Sequence, residues 1–230
     1  MKNILALLIV LFVSGLSAQE INQFDAQKKR HGKWMKTYED SKQIRYKGQF
    51  DHGKEIGQFQ FFHKQPKGKH ASCIKEFTAN SNVAQVKYYS TYGLLLEEGQ
   101  MNGKKRIGKW IAYDRKTKVK VTEENYIDGK LNGEIKSFYT DGKLLKVESY
   151  KTGKKSGKVV MYAPNGKVVN QSSFIDGKKN GTFVKYDKNG KKMLEGKHKM
   201  GKPQGIWKYY KNGKLSKTKD YTKSNNPAKQ

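Results

Sequence analysis

Cysteine and arginine are the scarce residues of this 230-residue chain: Cys73 stands alone, and Arg30, Arg45, Arg106 and Arg115 are the only arginines among 48 basic side chains. One cysteine excludes an internal disulfide framework, so stability has to come from packing, with a buried, inert thiol as the expected state of Cys73. Few arginines means few of the planar forks that recognise phosphates and bases bidentately. The histidines His31, His52, His63, His70 and His198 are scattered and form no His-x-x-x-His pair. His70 and Cys73 stand three apart, a spacing seen in metal and thiol–imidazole sites, but no further ligands lie near them in sequence. No phosphate loop, nucleophile elbow or zinc motif occurs. The expectation is a protein that is not an enzyme, with no cofactor and no metal site.

Long apolar runs are equally scarce. The one example, Ile4 to Val13, follows Lys2 and precedes the small residues Ser14-Gly15-Leu16-Ser17-Ala18. It is too short to span a bilayer core of roughly 30 Å and reads as a secretory signal over residues 1–18, cleaved after Ser17 or Ala18. The mature chain is then expected in the periplasm, on the outer surface or secreted, with no transmembrane segment. It keeps 47 basic against 20 acidic side chains, or +27, because residues 1–18 hold one lysine and no acid.

What the chain has in quantity is glycine and aromatics at a fixed period. Gly32, Gly57, Gly108, Gly133, Gly157, Gly181 and Gly205 each stand two residues before a large apolar residue: Trp34, Phe59, Trp110, Ile135, Val159, Phe183 and Trp207. Ala84 with Val86 fills the missing place between 57 and 108. Eight copies spaced about 24 residues apart indicate a stacked repeat array. A second aromatic column follows five residues after the motif glycine: Phe62, Tyr89, Tyr113, Phe138, Tyr162, Tyr186 and Tyr210. Both columns are expected to form the core. A third, Phe50, Tyr126, Tyr150 and Phe174, has His198 in its place in the last full unit.

Three turn signals recur in each unit: a Gly-Lys turn before the motif, the motif glycine itself, and turns such as Asp141-Gly142, Asn165-Gly166, Asn189-Gly190 and Asn212-Gly213. Asn-Gly and Asp-Gly favour type I′ turns. The short aromatic and β-branched runs between them read as strands. Each repeat is thus a β-hairpin, and the fold is an all-β, elongated antiparallel sheet. The expected division is signal peptide 1–18, short leader 19–28, repeat array 29–219 and disordered polar tail 220–230. The unit around Ala84, lengthened by Phe62 to His70, predicts a looser hairpin or a protruding loop near residues 63–75.

The unit Gly177-Lys178-Lys179-Asn180-Gly181-Thr182-Phe183, with Tyr186, Asn189-Gly190-Lys191 and Glu195-Gly196 after it, resembles the MORN repeat (membrane occupation and recognition nexus). It is closest to the bacterial variant form found in exported proteins and in YwqK-type antitoxins. The resemblance implies one hairpin per repeat and a scaffold or protein-interaction role. It also admits an antitoxin-like partnership with a toxin.

The best binding candidates are the turn lysines Lys54, Lys104, Lys130, Lys154, Lys178 and Lys202. Two strands per repeat space them by roughly 10 Å along one border, where an anionic lipid, lipopolysaccharide or acidic polysaccharide can meet several at once. Nucleic acid is the weaker expectation, since the aromatics are committed to the core and arginine is scarce. Glu98, Glu124 and Glu148 share one register in the sequence and read as a strand column balancing lysines. The leading reading is an exported scaffold for a protein partner or the cell envelope, and the second is a lysine-rich binder of anionic surfaces.

Overall fold

The computed structural model describes residues 20–64, 70–77 and 81–222. The expected signal, residues 1–18, and residues 223–230 of the expected tail lie outside the described residues. The first strands are β1 (Gln23–Phe24), β2 (Arg30–Thr37), β3 (Ile44–Asp51), β4 (Lys54–Phe61), β5 (Cys73–Phe77) and β6 (Val83–Tyr89). Next come β7 (Leu95–Asn102), β8 (Lys105–Tyr113), β9 (Lys120–Ile127), β10 (Lys130–Leu131), β11 (Gly133–Phe138) and β12 (Leu144–Lys151). The last are β13 (Lys154–Tyr162), β14 (Val168–Ile175), β15 (Lys178–Tyr186), β16 (Lys192–Lys199), β17 (Lys202–Lys211) and β18 (Lys214–Asp220). They form one all-β, open antiparallel sheet in which each strand pairs with the next, with β10 and β11 acting as one strand interrupted at Asn132. The array reaches past its expected boundaries at both ends. Gln23 and Phe24 of the leader pair with β2, and Asp220 pairs with Ile206 while Tyr221 packs edge-on against Trp207.

The motif glycines are not turns. Each lies inside a strand, and all seven have positive φ, between 59° and 108°. At Gly157 the pairs Glu148↔Val159 and Tyr150↔Lys155 show the consequence: the residue between Glu148 and Tyr150 faces three between Lys155 and Val159. The same bulge recurs at Gly57, Gly108, Gly181 and Gly205. Bulges of this kind bend a strand and need a residue free of a β-carbon. Where Ala84 replaces the glycine the bulge is gone, and β5 and β6 pair without a break from Cys73↔Tyr88 to Phe77↔Ala84. An L residue at positive φ costs about 1–2 kcal/mol, so the chain stays regular there. The expected looser hairpin is therefore a straight one. Cys73, Ile74 and Lys75 lie in strand β5 rather than in a loop, and residues 65–69 of the insertion lie outside the described residues.

Turn chemistry also differs between the sheet's two borders. On the first border, His52-Gly53, Asp128-Gly129, Thr152-Gly153, Asp176-Gly177 and Met200-Gly201 have both central residues at positive φ, as type I′ requires. On the second, the glycines Gly142, Gly166 and Gly190 are left-handed, while Asp141, Asn165 and Asn189 beside them are not. These loops close with bonds such as Tyr139 N–H to Lys143 O at 2.8 Å, and Asp141 Oδ1 accepts the Lys143 N–H. Of the four Asn-Gly or Asp-Gly turns expected to be type I′, Asn212-Gly213 alone has both residues at positive φ.

The core is the face carrying the residue two after each motif glycine. Phe59, Val86 and Trp110 are almost wholly buried, and Ile135 and Trp207 nearly so. Burying each large side chain contributes about 1.5–3 kcal/mol. Rings step edge-on across strands from Phe24 through Trp34, Phe50 and Phe59 to Phe77, with centroids 5.1–5.8 Å apart. The preceding strand is fitted to each ring: a β-carbon at Gly48, Gly99 or Gly196 would stand 2.3–2.4 Å from Phe59, Trp110 or Trp207. Opposite the smaller Val159 stands Glu148. The second aromatic column, five residues after the glycine, points to the other face and is only half buried. An odd separation along a strand reverses the side-chain direction.

Candidate functional site

Successive hairpins are joined at the first border by a repeated bond. The turn glycines Gly53, Gly103, Gly129, Gly153, Gly177 and Gly201 donate their N–H to the carbonyls of Arg30, Asn82, Arg106, Leu131, Lys155 and Lys179 at 2.7–3.2 Å. Each acceptor lies two residues before a motif position of the preceding hairpin. This stacks the turns and sets their lysines in one row. Lys54, Lys104, Lys130, Lys154, Lys178 and Lys202 are all exposed there, and among the described residues none closes an ion pair. Lys104 departs from the pattern: the Asn102↔Lys105 pairing makes it a turn residue, and Lys105 takes the strand position and reaches Asp128 at 2.7 Å.

That one-residue offset separates the glutamates that share a register in the sequence. Glu124 pairs with Trp110 and Glu148 with Val159 on the aromatic face. Glu98 pairs with Ile111 on the opposite face, where it accepts the Tyr113 hydroxyl at 2.6 Å. A single-residue slip moves a side chain to the other side of a sheet. Burial and Glu98 together push Tyr113 up to about 12. Buried Glu148 is held by Lys146 at 2.7 Å and Lys155 at 2.5 Å, and these two ammoniums outweigh its burial and lower its pKa. The carboxylates are thus ion-pair and hydrogen-bond partners, not paired general acids.

Cations cap the aromatic face in the same period. Arg30 lies over Trp34 and Phe50, Arg106 over Trp110 and Tyr126, Lys155 over Tyr150 and Phe174, and Lys179 over Phe183, at 4.0–5.8 Å from the ring centroids. Two of the four arginines are therefore structural, each stacked on a core indole. The outer face is different. Lys33, Met35, Lys47, Gln49, Gln58 and Gln60 line one open depression, and Thr182, Glu195, Lys197, Gln204, Ile206 and Lys208 another. Among the described residues, no second layer covers either.

Cys73 is buried against Ala84, Val86 and Trp110, and burial pushes its thiol up to about 11. His70 lies instead over the turn glycine Gly93, so the sequence pair His70–Cys73 is not a site. The histidines His31 and His52, 21 residues apart, do meet: their ring centroids are 4.8 Å apart beside Asp51. Sequence spacing within one strand does not reveal such a pair, because its members come from β2 and the β3–β4 turn. A signal was nevertheless present, since His52 alone puts a histidine at this turn and His31 directly precedes its motif glycine.

The hairpin that begins at Leu131, bends at Gly133 and ends at the Thr152 turn decides the comparison with known proteins. Residues 131–152 match the family described as MORN repeat variant. The matched segment is one structural unit of the sheet, strand, bulge, loop and return strand. The units on either side repeat its geometry, so the MORN-type scaffold reading rests on one matched repeat and on structural periodicity for the rest. No curated protein matches the chain.

Proposed function

We propose that this chain is an exported, non-catalytic repeat scaffold whose outer face and lysine border bind a protein or a cell-envelope surface. The observation that supports this reading is the uncovered outer face: every strand contributes to it, and among the described residues nothing folds back over it. Fractionation of the native host with N-terminal sequencing tests the export. The mature chain should be found in the envelope or outside the cell, beginning at Ala18 or Gln19. A full-length cytoplasmic chain would overturn that part and favour an antitoxin-like partnership instead.

A second reading, binding to anionic lipid, lipopolysaccharide or acidic polysaccharide, is favoured by the six exposed lysines in one row. Their spacing of roughly 10 Å is about one Debye length at physiological salt. Each cation then acts nearly independently, and avidity comes from number. Co-sedimentation with phosphatidylglycerol vesicles should be strong at low salt and lost by roughly 0.5 M, where screening shortens the interaction range. Replacing all six lysines by glutamine should remove it. Equal binding to neutral vesicles, or retention by the six-lysine variant, would exclude this row as the contact.

A further inference from the structure

The cluster at the N-terminal end of the sheet combines two imidazoles, one carboxylate facing them and a second, buried carboxylate behind. His31 Nδ1 lies 3.6 Å from Asp51 Oδ1, and His52 Nε2 lies 3.8 Å from the same oxygen. One ligand atom from each of the three residues falls within 4.8 Å of the others. A tetrahedral ion with bonds of about 2.0–2.2 Å holds its ligand atoms roughly 3.3–3.6 Å apart. Small rotations of exposed rings close the remaining distance, as His31, Asp51 and His52 are 47%, 55% and 60% exposed.

Behind this set stands Asp25. Its Oδ1 accepts the N–H groups of Gln27 and Lys29 at 2.9 and 2.8 Å, which fixes the carboxylate in a tight loop. Its Oδ2 is 2.6 Å from His52 Nδ1, and the Asp25 side chain is only 6% exposed. A carboxylate on one ring nitrogen fixes the tautomer in which the other nitrogen carries the lone pair. His52 Nε2, the atom turned toward Asp51, is then the free donor. His31 Nδ1 likewise carries a lone pair, which faces the His52 backbone N–H across a long 3.4 Å contact that a metal ion would replace. We infer that His31, Asp51 and His52 form a binding site for Zn²⁺, with Asp25 as a positioning residue behind His52 and water completing the coordination. Nitrogen and carboxylate donors with an open position suit this ion. Metal would tie β2, through His31, to the end of β3 and the β3–β4 turn, with the leader held to the site through Asp25.

Calorimetric titration of chelator-treated full-length protein with Zn²⁺, and with Co²⁺ as a spectroscopic probe, tests the site. One ion should bind per chain, with the visible absorption of tetrahedral Co²⁺. His31→Gln and His52→Gln should each abolish binding, while Asp25→Asn should weaken it about 10–100-fold. His70→Gln, a histidine outside the cluster, should leave it intact. Far-UV circular dichroism checks that each variant is folded. Absence of one-to-one binding by the wild type, or undiminished binding by His31→Gln and His52→Gln, would overturn the site. An unchanged affinity in Asp25→Asn would overturn the positioning role.

Discussion

His198 is the residue at which the repeat departs from its own rule with a consequence that can be measured. It occupies the column held by Phe50, Tyr126, Tyr150 and Phe174, and its ring packs edge-on between Phe183 at 5.6 Å and Trp207 at 5.0 Å. Burial there, reinforced by the Lys179 ammonium, lowers its pKa below 6.5. A histidine lowered in this way is neutral in both states above 6.5, so the full stability is present there. As pH falls below 6.5 the unfolded chain takes up the proton first, and stability is lost until the folded pKa is reached. His198→Phe should therefore raise stability and flatten its pH dependence between pH 7 and 5. The gain at pH 5.5 should be about 1 kcal/mol, from an aromatic contact without a titrating group. Urea midpoints at the two pH values measure it, and an equal gain at both would show that His198 titrates normally.

At the scale of the element, the hairpin is built from a bulge at the motif glycine, a second register shift beside the second-border loop and two kinds of turn, and the residues at positive φ carry its strain. Thr152 is the clearest case, a β-branched residue at φ 48° in a type I′ turn. Such a residue is disfavoured there, whereas asparagine visits the region readily. The backbone contact at this turn, Asn132 Oδ1 accepting the Thr152 N–H at 3.1 Å, involves no Thr152 side-chain atom. Thr152→Asn should stabilise the chain by about 0.5–1 kcal/mol. A thermal melt checks it, with an expected rise of roughly 1–4 °C for a chain of this size. No rise would mean that the turn relaxes its strain elsewhere.

The whole molecule is nearly one-dimensional. Packing runs between neighbouring strands, so each hairpin is held by the one before and the one after. Deleting Lys158–Gly181 joins Gly157 to Thr182 at equivalent positions and should leave a shorter, folded sheet. Deleting twelve residues removes one strand and leaves the next running the wrong way, so that chain should not fold cleanly. Circular dichroism and gel filtration of the two deletions distinguish these outcomes. Unfolding of the 24-residue deletion would show coupling beyond nearest neighbours. At the C-terminal border β18 is exposed along its whole length and carries three lysines, Lys214, Lys217 and Lys219, among its seven residues. Charge of this kind keeps an open edge from pairing with another chain.

Architecture was legible in the sequence because periodicity is a property of the chain itself. A glycine two before a large residue every 24 positions, with Gly-Lys turns between, is enough to place the hairpins and the column of Trp34, Phe59, Trp110, Phe183 and Trp207, of which Phe59, Trp110 and Trp207 are buried. The row of turn lysines follows from the same count. Tertiary structure decided what depends on register and on pairing between strands. It made the motif glycines bulges rather than turns and turned the second aromatic column to the other face. It also parted Glu98 from Glu124 and Glu148 through a one-residue shift at Gly103. The meeting of His31, Asp51, His52 and Asp25 belongs to that second class. Those residues come from the leader, strands and a turn, and only hydrogen-bonded strands about 4.8 Å apart bring them together.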